Sequence, residues 1–208
     1  MTAPRQDAMW HPSLILLPLL AACSSPASET AREPDKTATQ TATEPVAKPL
    51  PPKPRVRVEN PLVLAPDGLL LADHDGKMQL LPYGTERDKA ESAVGVVLAP
   101  PTKRGSSSEC GAGTVDYTDF RNGLQMTFQE GKFTGWTINA ARSPFKTTKG
   151  IGIGSTRQEL HAAYKDLTVE DSSLGLLFSS GDLTGLLDID GIEGLVTDLW
   201  AGTVCLID

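Results

Sequence analysis

The clearest structural signal in the chain is the stretch Gly123-Leu-Gln-Met-Thr-Phe-Gln-Glu-Gly-Lys-Phe-Thr-Gly-Trp-Thr-Ile138. Apolar and polar residues alternate along its first part, so Leu124, Met126 and Phe128 lie on the same side of an extended chain. The Gln-Glu-Gly step in the middle is short and ends in glycine, as a turn between two strands commonly does. The stretch therefore predicts a β-hairpin with one apolar face.

A second group of strands is predicted towards the C-terminus. These strands are expected at residues 173–178, 183–189 and 195–200. Asp190-Gly191, between the last two, is typical of a turn. The final strand ends in Trp200, much as the first hairpin carries Trp136 near its end. A further hairpin is predicted at residues 62–71, before either group of strands.

A short helical pattern precedes each group of strands. Thr85-x-x-Asp88 and Thr156-x-x-Glu159 both resemble capping boxes, in which a hydroxyl and a carboxylate three residues apart begin a helix. The order of cap, helix, strands and tryptophan thus occurs twice, at about residues 80–138 and 150–203. We therefore expect an α+β fold, a tandem repeat of a short helix plus antiparallel strands with the helices packed on one face of an antiparallel sheet.

Two known kinds of protein share this arrangement. A Gly-Thr or Gly-Ser step, here Gly84-Thr85 and Gly154-Ser155, that opens a helix before meandering strands resembles the small envelope lipoproteins of the SmpA/OmlA type. The duplication is also similar to that of the β-lactamase inhibitor protein. The resemblance covers residues 80–208 and implies a protein that acts by binding other proteins. It assigns no functional residue, because no contact motif of those families is matched here.

Composition divides the chain into three parts. All 19 glycines lie after residue 59, whereas residues 24–58 are rich in proline, threonine, alanine and charge and contain no aromatic residue. Such a segment buries too little apolar surface to offset the entropy lost on folding. We therefore expect a signal peptide at residues 1–22, a lipidated cysteine and disordered tether at 23–58, and a globular domain at 59–208.

The start of the chain predicts export and lipidation. Residues 14–22 read Leu-Ile-Leu-Leu-Pro-Leu-Leu-Ala-Ala and precede Cys23, which is typical of a bacterial lipobox. In that motif the cysteine is acylated and becomes the first residue of the mature protein, so the lipid bilayer is an expected partner. By resemblance to the sorting signals of well-studied bacterial lipoproteins, Ser24 after the cysteine favours the periplasmic face of the outer membrane. The alternatives are an ordinary signal peptide with an incidental cysteine, and a true start at Met9.

Two cysteines remain in the globular domain. Cys110 and Cys205 form an even pair in a domain expected to be exported, where disulfides persist. We therefore predict that they are bonded to each other.

Charge is distributed unevenly within the domain. Residues 166–208 contain nine Asp or Glu and no Lys or Arg, and the whole chain carries a net charge of −7. An acidic domain argues against nucleic-acid binding, which needs a basic face. The acidic residues that could form a binding surface are Asp182, Asp188, Asp190 and Glu193. They could steer a basic partner, although carboxylates that solvate turns are the more ordinary explanation.

Trp136 and Trp200 are the remaining candidates for a binding surface. Exposed tryptophans anchor protein interfaces, and buried ones belong to the core. We favour the core for both, since aromatic residues make up only 5% of the chain.

No pattern in the sequence predicts a cofactor, a metal or a catalytic residue. Gly150-Ile-Gly-Ile-Gly-Ser155 lacks the spacing of a dinucleotide loop, and Asp73-His-Asp-Gly76 is only a fragment of a calcium loop. We therefore expect a non-enzymatic, membrane-anchored envelope lipoprotein with a protein-binding or structural role, its possible partner another envelope protein. The alternative is a periplasmic hydrolase of cell wall or peptide that uses Asp116, Asp119 and Glu130.

Overall fold

The computed structural model describes residues 59–205. The predicted signal peptide, Cys23 and the predicted tether lie outside the described residues, as do residues 206–208. Lipidation and sorting therefore stay predictions from the sequence.

Three strands at the start of the described chain form a small antiparallel sheet. They are β1 (Leu62–Ala65), β2 (Gly68–Ala72) and β3 (Met78–Pro82), in the order β1-β2-β3. The predicted hairpin at 62–71 is confirmed, with Ala65 opposite Gly68 beside the turn. Glycine suits this position because φ is +151° and a Cβ there would collide with the carbonyl oxygen of Leu81.

Eight further strands form the main sheet. They are β4 (Lys103–Ser107), β5 (Val115–Asp119), β6 (Leu124–Gln129), β7 (Lys132–Ile138), β8 (Thr168–Ser172), β9 (Gly175–Ser180), β10 (Leu183–Leu187) and β11 (Val196–Gly202). Their order is β4-β5-β6-β7-β11-β10-β9-β8, and every neighbouring pair is antiparallel. Strands β7 and β11 therefore meet at the centre of the sheet, although a long stretch of chain separates them.

One face of the main sheet is buried. Leu124, Met126 and Phe128 of the predicted hairpin are all buried there, and Met126 lies opposite Trp136. The indole N–H of Trp136 donates a hydrogen bond to the carbonyl oxygen of Ala65 on β1, at 2.9 Å. A single core therefore joins this face to the three-stranded sheet.

The residues that alternate with the buried ones form the opposite side of the main sheet, which we name the open face. Cross-strand pairing places on it Lys103, Tyr117, Gln125, Thr137, Leu186, Asp198 and Trp200. This face is mostly polar, but Thr137 and Trp200 at its centre are buried.

Two helices interrupt the strands. Helix α1 (Arg87–Leu98) contacts β2 and β7, and the shorter α2 (Arg157–Ala163) buries Leu160. The predicted capping box of α2 is confirmed, because the Thr156 hydroxyl accepts from the Glu159 N–H while the Glu159 carboxylate accepts from the Thr156 N–H. The box predicted at Thr85 is wrong: that hydroxyl donates to the carbonyl oxygen of Pro82 instead.

The predicted fold class is wrong. The described chain is mainly antiparallel sheet, with eleven strands and only two short α-helices, and is not an α+β tandem repeat of helices packed on one face of a sheet. The physical reason is that β4, β5 and β8 are polar strands, Lys-Arg-Gly-Ser-Ser, Val-Asp-Tyr-Thr-Asp and Thr-Val-Glu-Asp-Ser. Strands β4 and β8 lack the apolar alternation that predicts a half-buried strand, and β5 carries only Val115 and Tyr117, so pairing with neighbouring strands defines all three instead.

The disulfide between Cys110 and Cys205 is confirmed. Their Cα atoms lie 5.5 Å apart, and the bond joins the β4–β5 connection to the segment after β11. That segment is hydrogen-bonded to β6 and β7. The carbonyl oxygen of Thr203 accepts from the Thr127 hydroxyl at 2.6 Å, and the N–H of Thr203 donates to the carbonyl oxygen of Thr134.

Candidate functional site

The two predicted tryptophans do not form an exposed anchor. Trp136 is fully buried in the core, and Trp200, on the open face, is 8% exposed. Both therefore contribute to packing, which is the alternative that the sequence favoured.

The four predicted acidic residues do not lie together. Asp182 precedes β10, whereas Asp188, Asp190 and Glu193 follow it in the connection to β11. The five residues of β10 lie between Asp182 and Asp188, so these two residues are six steps of extended chain apart, about 20 Å at 3.3–3.4 Å per step. We name the connection 188–195, which reads Asp-Ile-Asp-Gly-Ile-Glu-Gly-Leu, the acidic loop.

Hydrogen bonds close the acidic loop on itself. At its base the N–H of Asp188 donates to the carbonyl oxygen of Leu195 at 3.0 Å, and the N–H of Leu195 donates to the Asp188 carboxylate at 2.7 Å. Within it, the N–H of Gly194 donates to the carbonyl oxygen of Gly191 at 3.2 Å. Asp188 therefore has a structural role in the turn besides its charge.

A second set of contacts ties the acidic loop to the start of α2. The N–H groups of Arg157 and Gln158 donate to the carbonyl oxygens of Gly194 and Ile192, at 2.7 and 3.0 Å. The guanidinium of Arg157 pairs with the carboxylate of Asp190. The first N–H groups of a helix have no partner within it, so the loop supplies the acceptors that they need. The backbone of the loop is consequently fixed at several points.

The acidic loop presents apolar side chains to solvent. Ile189 is 57% exposed, Ile192 is 63% exposed and Leu195 is 39% exposed. Asp188, Asp190 and Glu193, all exposed, are interspersed with these residues along the loop. Exposed large aliphatic residues on a well-held loop are typical of a contact surface, because single exposed side chains are common but clusters are not. The sequence pattern drew attention to the acids and missed the isoleucines between them.

The carboxylates proposed for a hydrolase do not all converge. Asp116 and Glu130 line one surface depression of about 720 Å³, together with Lys132. Asp116 already accepts from the guanidinium of Arg87 at 3.2 Å. Asp119 lies on the open face, where its carboxylate accepts from Gln125 at 2.9 Å.

A buried ionic cluster, which sequence reasoning missed, joins α1 to the main sheet. The Glu91 carboxylate accepts from the guanidinium groups of Arg87 and Arg104 at 2.6–2.9 Å and from the hydroxyl of Thr118 at 2.6 Å. Burial acts to raise the pKa of Glu91, but the hydrogen bonds from Arg104, Arg87 and Thr118 outweigh it and lower the pKa to about 2. A carboxylate with all these partners is a structural anion and a poor proton acceptor.

A cleft of about 470 Å³ lies on the open face and was also missed. Its lining comes from β4 to β7, β10 and β11, with Ser173 and Leu174 of the β8–β9 turn and Cys205 at its margins. The residues that line this cleft come from strands that are distant in sequence and are brought together by strand pairing. No local sequence pattern could therefore have indicated the cleft.

Within residues 59–205, no helix is long and apolar enough to cross a membrane, and no group of three or more His, Cys, Asp or Glu side chains could hold a metal ion. Comparison of the chain with protein-family models, with curated proteins and with solved structures finds no match.

Proposed function

We propose that this chain is a lipid-anchored bacterial envelope protein with a non-enzymatic role, and that its globular domain binds another envelope protein through the acidic loop. The observation that carries the proposal is the exposure of Ile189 and Ile192, 57% and 63%, on a loop whose backbone is hydrogen-bonded to α2. Membrane attachment rests on the sequence, through acylation of Cys23 in its lipobox and the proline-rich segment after it.

The fixed backbone favours tight association. A loop that is already ordered loses little conformational entropy when it binds, so more of the contact energy appears as affinity. Two isoleucines at the tip could each bury most of a side chain, worth roughly 1.5–3 kcal/mol apiece. The acidic loop therefore presents two apolar side chains on an ordered backbone, which suits insertion into an apolar pocket of a partner.

The charges around the isoleucines define the partner. Asp188, Asp190 and Glu193 flank the apolar tip, and no Lys or Arg occurs in residues 166–208. Arg157 pairs with Asp190 and lies on the helix side of the loop. The complementary surface is an apolar depression rimmed by lysine or arginine, because such a rim steers the loop into place and avoids repulsion.

Site-specific photo-crosslinking in intact envelopes tests the proposal. A photoreactive residue replaces Ile192 in the full-length lipidated protein, and the captured species are identified by mass spectrometry. Val96 on α1 is the matched control position, since it is 64% exposed against 63% for Ile192. We expect one reproducible envelope protein from position 192 and none of it from position 96. The same set of captured proteins from both positions would contradict the proposal.

A paired variant tests the role of the isoleucines. Ile189→Ser with Ile192→Ser removes the apolar tip but leaves the hydrogen bonds of the loop in place. We expect capture from a neighbouring position, Glu193, to fall by about tenfold or more, while thermal unfolding changes little because exposed substitutions alter stability by roughly 0.5 kcal/mol or less. Undiminished capture by a folded double variant would show that the tip does not make the contact.

A further inference from the structure

The cleft on the open face is a built cavity and is separate from the acidic loop. Its volume, about 470 Å³, lies within the range that encloses small ligands, roughly 300–1,000 Å³. Thr137 and Trp200, neighbours across β7 and β11, form part of its lining at the centre of the sheet. Lys103 and Tyr117 line it on one side, and Leu174 and Leu186 on the other.

One wall of the cleft depends on a glycine. A Cβ at Gly105 on β4 would collide with the Cζ and hydroxyl oxygen of Tyr117, so the phenol ring lies directly against that strand. The ammonium group of Lys103 lies 5.3 Å from the centroid of the same ring. The wall is therefore formed by an aromatic ring held between a bare stretch of backbone and a lysine side chain.

The polar groups of the cleft have unused hydrogen-bonding capacity. The buried hydroxyl of Thr137 finds no hydrogen-bond partner among the described residues. Gln125 uses its N–H₂ group on Asp119, which leaves its carbonyl oxygen as an acceptor. Asn139 is exposed at the margin of the cleft. Because the Thr137 hydroxyl is itself enclosed, the accessible polar contacts that the cleft offers a ligand come from Gln125 and Asn139.

Charge and backbone geometry exclude two kinds of ligand. Lys103 and Asp198 are the only charged residues in the lining of the described part of the cleft, and their opposite charges give no net attraction for an isolated anion or cation. An extended peptide binds a sheet by adding a strand at its edge, whereas the backbone groups of the inner strands β5 to β7, β11 and β10 already pair with neighbouring strands.

A neutral ligand with many hydroxyl groups and an apolar carbon skeleton matches the uncharged polar and apolar side chains that line the cleft. Amide and hydroxyl side chains can both donate to and accept from hydroxyl groups. Leu186 and the half-buried ring of Tyr117 offer apolar contact for the C–H groups of a sugar ring. We propose that the cleft on the open face binds a neutral oligosaccharide, independently of the partner that the acidic loop binds.

Titration with defined sugars tests this inference. Full-length protein is titrated with N,N′,N″-triacetylchitotriose, called chitotriose below, and with maltotriose, and binding is followed by tryptophan fluorescence and by calorimetry. Inorganic phosphate and the dipeptide Ala-Ala serve as probes of the excluded ligand classes. We expect saturable binding of at least one of the two sugars, and no saturable binding of phosphate or dipeptide. A response to chitotriose alone would indicate glycans with N-acetyl groups, and a response to both would indicate recognition of sugar rings in general.

Variants locate the binding in the cleft. Gln125→Ala with Asn139→Ala removes two amide groups from its lining, and we expect the Kd for the sugar to rise by about tenfold or more. Gln129→Ala is the matched control, because it changes the same residue type on the same strand but lies outside this cleft. Thermal unfolding confirms that each variant is folded.

The absence of saturable binding of either sugar up to about 10 mM would overturn the inference. An equal Kd of the sugar for the double variant and for the Gln129→Ala control would also overturn it. So would binding of phosphate or dipeptide that is tighter than binding of the sugar. The Ile189→Ser, Ile192→Ser variant separates this inference from the proposed function. It should bind the sugar normally even though it loses the protein partner.

Discussion

Glu91 shows how a single buried charge is kept ionised in this fold. Its side chain is 8% exposed, a setting that by itself disfavours a carboxylate. Two arginines and a threonine surround it, one from α1 itself and the others from β4 and β5. The carboxylate therefore fixes the helix against strands that contribute little apolar surface of their own. Nothing in the local sequence around Glu91 indicates this role, because Arg104 and Thr118 are far along the chain.

Replacing Glu91→Gln tests this arrangement at neutral pH. The amide keeps the shape of the side chain but leaves Arg87 and Arg104 without their anion. We expect the free energy of unfolding to fall by roughly 3 kcal/mol, the scale found when one partner of a buried ion pair is removed. Urea denaturation measures the change, and Glu170→Gln, at an exposed position on β8, is the control. A loss no larger than that of the control would mean that the cluster contributes little.

The same residue predicts a pH dependence of stability. The pKa of Glu91 is lowered from its ordinary value of 4.5 to about 2. Because the folded state binds this proton less readily than the unfolded state, its stabilising contribution is complete above about pH 4.5 and is lost as the pH falls towards 2. In urea titrations across this range, the stability of the native protein should fall more steeply with acidification than that of Glu91→Gln. Parallel curves would contradict the assignment.

The elements differ in how clearly the sequence indicates them. Strand β6 is predicted by the alternation of Leu124, Met126 and Phe128 with polar residues, and β7 by the short turn that precedes it and by its own apolar residues. Strand β4 has no large apolar residue, and β8 has only one, so nothing in them predicts burial or pairing. Sequence alone therefore locates the central strands of this sheet and fails at its polar strands, which are the two edges β4 and β8 and the neighbouring β5.

The two predicted capping boxes give a direct comparison between helices. Hydrogen bonding from the backbone N–H of Thr156 lowers the pKa of Glu159, in keeping with a complete box. We expect Thr156→Ala to lower the free energy of unfolding by about 1 kcal/mol, as loss of an N-terminal cap usually does. Asp88→Ala should cost only about 0.3 kcal/mol, since no side chain caps this helix and the Asp88 carboxylate contributes mainly through its attraction to the helix end. Chemical denaturation measures the free energy of unfolding of both variants. Equal decreases would contradict the conclusion that only the second helix has a capping box.

At the scale of the whole molecule, the disulfide closes a long segment. Cys110 and Cys205 are 95 residues apart, and everything from β5 to β11 lies between them. Reduction should lower the free energy of unfolding by about 2–4 kcal/mol, mainly because it frees the unfolded chain. The midpoint of urea unfolding should shift with reductant in the native protein and stay constant in the variant with Cys110→Ser and Cys205→Ser. An unchanged midpoint in the native protein would contradict this role.

The candidate sites also differ in what the sequence reveals. The carboxylates of the acidic loop can be recognised in the sequence because residues 166–208 contain acidic residues and no Lys or Arg. The disulfide can be predicted because only two cysteines remain after Cys23. The cleft, in contrast, brings Gln125 and Asp198 to one surface through the pairing of β7 with β11. Such pairing depends on the tertiary fold. A local sequence pattern indicates which face of a strand is apolar, but it does not indicate which other strand will pair with it.

The central position of β11 has a consequence for synthesis. This strand, Val196–Gly202, joins the strands β4–β7 to the strands β8–β10, yet the ribosome makes it after all of them. Until it emerges, β7 and β10 each present an unpaired edge, and such edges attract other chains. A nascent polypeptide of this protein therefore completes its sheet in one late step. Stalled or truncated products that end before Val196 should depend on chaperones far more than the finished protein.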